Sequence, residues 1–151
     1  MYKLEKSALV WIVDDDEDDI FLTQETLSDL LGYVITKGFF SGENFIEYAM
    51  KLDKETCFFR PNLILLDLNM PGKSGLETLR DIKSISCLSD IPVIIQTHSS
   101  ECNNFNLALK YGAFAVIRKC SELQLRIQIE NAFPGFASTS AFPESLLMQQ
   151  N

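Results

Sequence analysis

Apolar residues fall along this chain in five short runs, each followed by a stretch where they recur at helical spacing. Residues 8–13, Ala-Leu-Val-Trp-Ile-Val, make the first run and residues 63–66, Leu-Ile-Leu-Leu, the third. Continuous apolar runs this short predict strands buried on both faces. Residues 91–95 and 113–117 form two further apolar runs, whereas residues 33–40 are broken by Thr36, Lys37 and Gly38 and predict an edge strand. Between the runs, Ile20, Phe21, Gln24, Leu27, Leu30 and Leu31 predict a helix from about Asp18, stopped by Gly32. Phe45, Ile46, Ala49 and Met50 place a second helix over about 43–54. A third, capped by Ser74, carries Leu76, Leu79, Ile82 and Ile85. Phe105, Leu107, Ala108, Leu109 and Tyr111 form a fourth, ended by Gly112, and Leu123, Leu125, Ile127, Ile129 and Ala132 a fifth over 121–132. Strand and helix therefore alternate five times, which predicts an α/β fold: a doubly wound five-stranded parallel sheet with helices on both faces and right-handed crossovers.

In an open parallel sheet the ligand crevice lies outside the carboxyl ends of the strands. The first run stops there at Asp14-Asp15-Asp16-Glu17-Asp18-Asp19. Six consecutive carboxylates repel one another unless a cation or a helix amino terminus takes up part of the charge. Asp18 and Asp19 fall in a first helical turn, which is reason enough for them. Asp14 and Asp15 precede that turn, and clustered carboxylate oxygens suit a hard divalent cation. Asp67 ends the third run, although an Asp opening a turn such as Met70-Pro71-Gly72 has the same local signature. The fourth run ends at Thr97, which can equally be a capping hydroxyl, and the fifth at Lys119, which can equally be a solvated lysine. Parallel strands bring all of these to one edge. Jointly, the carboxylates, a hydroxyl and an ammonium make a magnesium-assisted phosphoryl-transfer site.

Composition narrows the choice further. With 151 residues, 46% of them hydrophobic, one domain with a sizeable core is expected. The net charge of −8 argues against non-specific nucleic-acid binding and for a cation partner. Cys57, Cys87, Cys102 and Cys120 form no C-x-x-C pair and His98 is the one histidine, so zinc is disfavoured and buried free thiols in a reducing compartment are expected. Residues 1–6 alternate in charge and lack the apolar stretch of a signal peptide, and no run reaches membrane-spanning length. A soluble cytoplasmic protein is the expectation.

Val13-Asp14-Asp15-Asp16, Leu65-Leu66-Asp67-Leu68-Asn69-Met70-Pro71-Gly72 with Gly75, Ile91-Pro92-Val93-Ile94-Ile95-Gln96-Thr97, and Gly112-Ala113 with Lys119 together resemble a response-regulator receiver domain of two-component signalling. The resemblance runs from about residue 8 to 132. It implies the flavodoxin-like receiver fold, with Asp67 as phosphoacceptor attacking a phosphohistidine on a sensor histidine kinase or histidine phosphotransfer protein. It implies Mg²⁺ held by Asp15 and Asp67, with the Asn69 backbone carbonyl and with Asp14 acting mainly through water. Thr97 and Lys119 would each bond a phosphoryl oxygen. A homodimer through the late helix-strand-helix face is allowed by the resemblance alone.

The chain also departs from that pattern. Val116 stands where many receivers have a Tyr or Phe that swings inward on activation, and Cys120 where the family usually has a cis-proline. His98 stands where a small residue is usual; it reads either as a solvent-facing side chain or as a group narrowing access to the site. Residues 1–133 are expected to be the receiver domain and 134–151 a tail. Phe136, Phe142, Leu146 and Leu147 make that tail too apolar for a solvated linker, so it either packs back on the domain or docks a partner. The tail is too short for a DNA-binding effector domain, which points to a stand-alone receiver signalling to a downstream protein. A receiver-like interaction module without phosphoryl chemistry is the alternative. A flavin site would want a Ser/Thr/Gly-rich phosphate loop after the first strand, and a haloacid-type phosphatase an Asp where Asn69 stands, so both fail.

Overall fold

In the computed structural model, residues 8–53, 55–98, 102–119 and 121–134 are described. The elements run β1 (Ala8–Val13), α1 (Glu17–Leu31), β2 (Val34–Phe39), α2 (Gly42–Met50), a single 3-10 turn (Thr56–Phe59), β3 (Leu63–Asp67), α3 (Gly75–Ser84), β4 (Val93–Thr97), α4 (Cys102–Lys110), β5 (Ala115–Arg118) and α5 (Glu122–Ala132). All strand pairs are parallel, in the order β2-β1-β3-β4-β5. This is the doubly wound sheet predicted from the alternation, with β2 on an edge.

Strand periodicity sorts the core into two layers, because successive side chains point to opposite faces. Trp11 and Val13 of β1, Ile64 and Leu66 of β3, and Val93 and Ile95 of β4 meet Phe45 and Ala49 of α2, Leu79 and Ile82 of α3, and Ala108 of α4. Val10, Ile12, Leu63, Leu65 and Ile94 face the other way, onto Ile20, Leu27, Leu30 and Leu31 of α1 and Leu125 and Ile129 of α5. Strands covered on both faces need continuous apolar runs, which is why β1, β3 and β4 stand out in the sequence. Trp11, Phe39 and Phe45 pack edge to face, their ring centroids 5.0–5.8 Å apart.

Side-chain caps begin the helices where the sequence has Ser or Asp. Ser74 Oγ accepts from the Glu77 N–H and Ser121 Oγ from the Gln124 N–H, while Asp16 accepts from the N–H groups of Asp18 and Asp19. Several elements start or stop elsewhere than the pattern predicts. Helix α2 ends at Met50 rather than near 54, and β4 and β5 each begin two residues later than their apolar runs.

One expectation is overturned. Cys57 and Cys87 are joined in a disulfide rather than remaining free, linking the 3-10 turn to the loop after α3. Thirty residues separate them, a distance that no spacing motif flags. Cys120, its preceding peptide bond and the tail beyond residue 134 lie outside the described residues, as does the Cys102 side chain.

Candidate functional site

The site is assembled at the carboxyl edge of the sheet from β1, β3, β4 and β5. The register pairs Val13 with Leu66, Asp67 with Gln96, and Thr97 with Arg118, so the residues just past each strand end arrive side by side. Asp14 follows β1, its N–H donating to the Phe39 carbonyl at 3.0 Å, and its Oδ1 accepts from the Asp16 N–H at 2.9 Å. Asp67 closes β3, and its Oδ1 accepts from the Asn69 N–H at 3.1 Å. Gly75 matters here: a Cβ at this position would overlap the Asp67 carbonyl oxygen, so only glycine lets α3 start against the end of β3. Gly72, with φ +74°, makes the turn in between.

Lys119 is the hub. Its ammonium lies 2.7 Å from Asp14 Oδ2, 2.9 Å from Asp19 Oδ2 and 3.1 Å from Asp67 Oδ2, and its side chain is only 5% exposed. The Lys119 N–H donates to the Thr97 carbonyl at 3.1 Å, which ties the residue after β5 to β4. Asn69 Nδ2 donates to the buried Thr97 hydroxyl at 3.3 Å. The carboxylates of Asp14, Asp15 and Asp67 can each place an oxygen within 4.8 Å of the others, with Asp14 and Asp67 buried and Asp15 exposed.

The electrostatics follow from burial and charge. Burial is the main cause that pushes the Asp67 carboxyl up to about 6; Asp14 pushes the same way, and Lys119 and the Asn69 N–H oppose it. Burial pulls the Lys119 ammonium down, but Asp14, Asp19 and Asp67 outweigh it and leave it above the ordinary lysine range. The hydrogen bond from Lys119 holds the Asp19 carboxyl below its usual value, assisted by His98, whose Nε2 is 3.6 Å away.

Every described candidate from the sequence therefore reaches one edge: Asp14, Asp15, Asp67, Asn69, Thr97 and Lys119. Asp19 is the residue that sequence reasoning missed. A first-turn acid was assigned to the macrodipole, yet Asp19 also reaches across to Lys119, one hundred residues later. The signal lay in the excess of acids over what a helix terminus needs. His98 is solvent-facing, with its contact to Asp19. Val116 is half-buried against the cluster that includes Ala108 of α4.

This fold and site define a phosphoacceptor signalling domain rather than a metabolic enzyme. The chain belongs to the response regulator receiver domain family, whose pattern it matches over residues 10–129. Over 94 residues it is 34% identical to the response regulator Rcp1 of Synechocystis sp. PCC 6803, covering 60% of this chain and 62% of Rcp1. Over 112 residues it is 33% identical to the DNA-binding transcriptional regulator NtrC of Escherichia coli K12, covering 74% of this chain but 22% of NtrC. The matched regions thus span less than two thirds of either relative. The phosphorylated cyanobacterial phytochrome response regulator RcpA superposes with a TM-score of 0.70 at 29% identity, covering 91% of this chain and 99% of that one. Vibrio cholerae CheY4, at 20% identity, shares the fold with a TM-score of 0.71 over 85% of this chain and all of its own. Receiver domains partner with histidine kinases, and no described helix here is long and apolar enough to cross a membrane.

Proposed function

We propose that the protein is a cytoplasmic response regulator whose receiver domain accepts a phosphoryl group on Asp67 and signals through phosphorylation-dependent contact with another protein. The observation that carries this reading is the buried Asp67 carboxylate at the end of β3, 3.1 Å from the Lys119 ammonium and beside Asp14 and Asp15. An Asp67 oxygen bonds to phosphorus as the P–N bond of a phosphohistidine breaks, and the electron pair leaves on the imidazole nitrogen. The donor is a sensor histidine kinase or a histidine phosphotransfer protein.

The donor set fits a hard divalent cation, being all oxygen and strongly anionic. Asp15 and Asp67 would hold Mg²⁺ through carboxylate oxygens and Asp14 mainly through water, with the Asn69 backbone carbonyl completing the protein's share. Bound there, Mg²⁺ supplies neutralisation of charge on the nucleophile and on the phosphoryl oxygens. Lys119 donates to one phosphoryl oxygen and the Thr97 hydroxyl to another. Val116 favours one other reading, an interaction module of receiver fold, since the aromatic that would relay a change at Thr97 is missing.

Intact mass after incubation with Mg²⁺ and acetyl phosphate separates the two. A hydroxylamine-labile phosphoryl adduct on the wild type and none on Asp67→Asn is the expected result. Equal labelling of both proteins would remove Asp67 from the role. No adduct together with no Mg²⁺ binding would make the interaction module the better reading.

A further inference from the structure

At the opposite end of the sheet, where the strands begin, lies an apolar groove of about 540 Å³. Leu9, Leu31, Leu63 and Ile129 line it, and Phe58 and Phe59 stand beside them. These two rings are 89% and 69% exposed, with centroids 6.0 Å apart. They are held in place: the Cys57–Cys87 disulfide precedes them, and Arg60, which follows, pairs with Asp90 at 3.0 Å. Two adjacent phenyl rings fixed against an apolar groove are unusual on a surface with no further partner.

We propose that this groove is the dock for the chain's own carboxyl-terminal segment, residues 135–151, with Phe136, Phe142, Leu146 and Leu147 as its anchoring side chains. Position is the first argument. Helix α5 ends at Ala132 and the next residue, Phe133, lines the groove, so the segment sets out from the rim. Reach is the second, since seventeen residues extend to roughly 55–60 Å, far more than is needed to cover a groove at their own starting point. Chemistry is the third. Residues 135–151 carry two Phe, two Leu and a Met but a single charged side chain, Glu144. The other segment that meets the groove, residues 1–7 leading into Ala8, has Lys3, Glu5 and Lys6 among seven residues and matches an apolar surface less well. This inference does not depend on phosphoryl transfer at the other end.

Hydrogen exchange of the full-length chain, followed by mass spectrometry, tests it. Amides of residues 136–148 should exchange roughly tenfold or more slower than in the same sequence as a free peptide. That protection should vanish in the Phe58→Ser, Phe59→Ser double variant, while protection of β4 and α4, which do not line the groove, stays unchanged because both rings are exposed. Conversely, Phe142→Ser with Leu146→Ser should raise exchange at residues 58–63. Exchange of 136–148 at the free-peptide rate, or protection that survives loss of both rings, would overturn the proposal. Protection that falls on dilution in step with a dimer-to-monomer change would assign the groove to a second copy and overturn it as well. Groove protection that outlasts the tail substitutions and disappears with Tyr2→Ser and Leu4→Ser would assign it to the amino-terminal segment instead.

Discussion

The two ends of the sheet are made from the same strands and solve opposite problems. At the carboxyl end, Asp14, Asp67 and Thr97 are all but inaccessible, and three carboxylates share the buried ammonium of Lys119. At the amino end, Phe58 and Phe59 lie open beside an apolar groove, secured by a covalent bond and an ion pair. Polar groups withdrawn from water need partners, whereas apolar groups left in water need cover. One end is therefore held by charge and should answer to pH and cations; the other is held by a covalent staple and should answer to reductant.

Removing Lys119 should break the first end most severely. Lys119→Met leaves Asp14, Asp19 and Asp67 facing one another with no countercharge, and stripping one partner from a buried ionic cluster costs about 3–5 kcal/mol. Urea unfolding at pH 7 measures the loss. Saturating Mg²⁺ should recover much of it in the variant, since the cation replaces the missing charge. A variant as stable as the wild type without Mg²⁺ would show that Lys119 does not neutralise the cluster.

The amino end should respond to reductant instead. The Cys57–Cys87 bond closes a loop of about 30 residues, and cross-links of that span contribute about 2–4 kcal/mol, mainly by restricting the unfolded chain. Dithiothreitol, or Cys57→Ser with Cys87→Ser, should lower the urea midpoint accordingly and leave the proposed phosphoryl uptake at Asp67 unchanged. A parallel fall in uptake would mean that the two ends are coupled through α3, which lies between them in the chain.

The same contrast explains what could be read from the chain beforehand. The carboxyl end was legible because a parallel sheet delivers strand ends to one edge, so Asp14, Asp67, Thr97 and Lys119 follow from order alone once the five runs are seen. Asp19 was not, because its contact with Lys119 depends on the rotation of α1 over the sheet rather than on strand order. The amino end was almost wholly hidden. Residues 56–59 have neither strand nor helical periodicity, and the Cys57–Cys87 pairing is a three-dimensional proximity without a sequence motif. The late starts of β4 and β5 have the same origin: Ile91 and Ala113 are buried as core residues without being in a ladder, so apolarity overstates strand length.

Within the carboxyl end, Asp67 should act against stability. Its folded value is about 6 against an ordinary 3.8, so the folded state binds the extra proton and the contribution favours folding only below that window. As pH rises through 6 the ionised form must be buried, at a cost of up to about 3 kcal/mol by the size of that shift. Without Mg²⁺, Asp67→Asn should therefore be more stable than the wild type at pH 7 by about 2–3 kcal/mol, the gap closing towards pH 4. Added Mg²⁺ should narrow it at pH 7 by stabilising only the protein with the carboxylate.

Asp19 should show the opposite sign at smaller size. The hydrogen bond from Lys119 depresses its carboxyl, so its contribution is present above 3.8 and is lost as pH falls below that value. Asp14 and Asp67 still hold Lys119 after Asp19→Asn, and an asparagine oxygen can accept from the same ammonium, which limits the loss at pH 7 to about 1 kcal/mol. Urea midpoints of the two variants at pH 7 and pH 3 make the comparison: Asp67→Asn above the wild type and Asp19→Asn below it at pH 7, with Asp19→Asn converging on the wild type at pH 3. Because both carboxylates contact one nitrogen, the difference in sign separates burial beside Asp14 from pairing with Lys119. Asp67 pays more in lost hydration than Lys119 returns, while Asp19, nearer the surface, is left with a net gain. Two variants shifted in the same direction at pH 7 would mean that proximity to Lys119, and not depth, decides the balance.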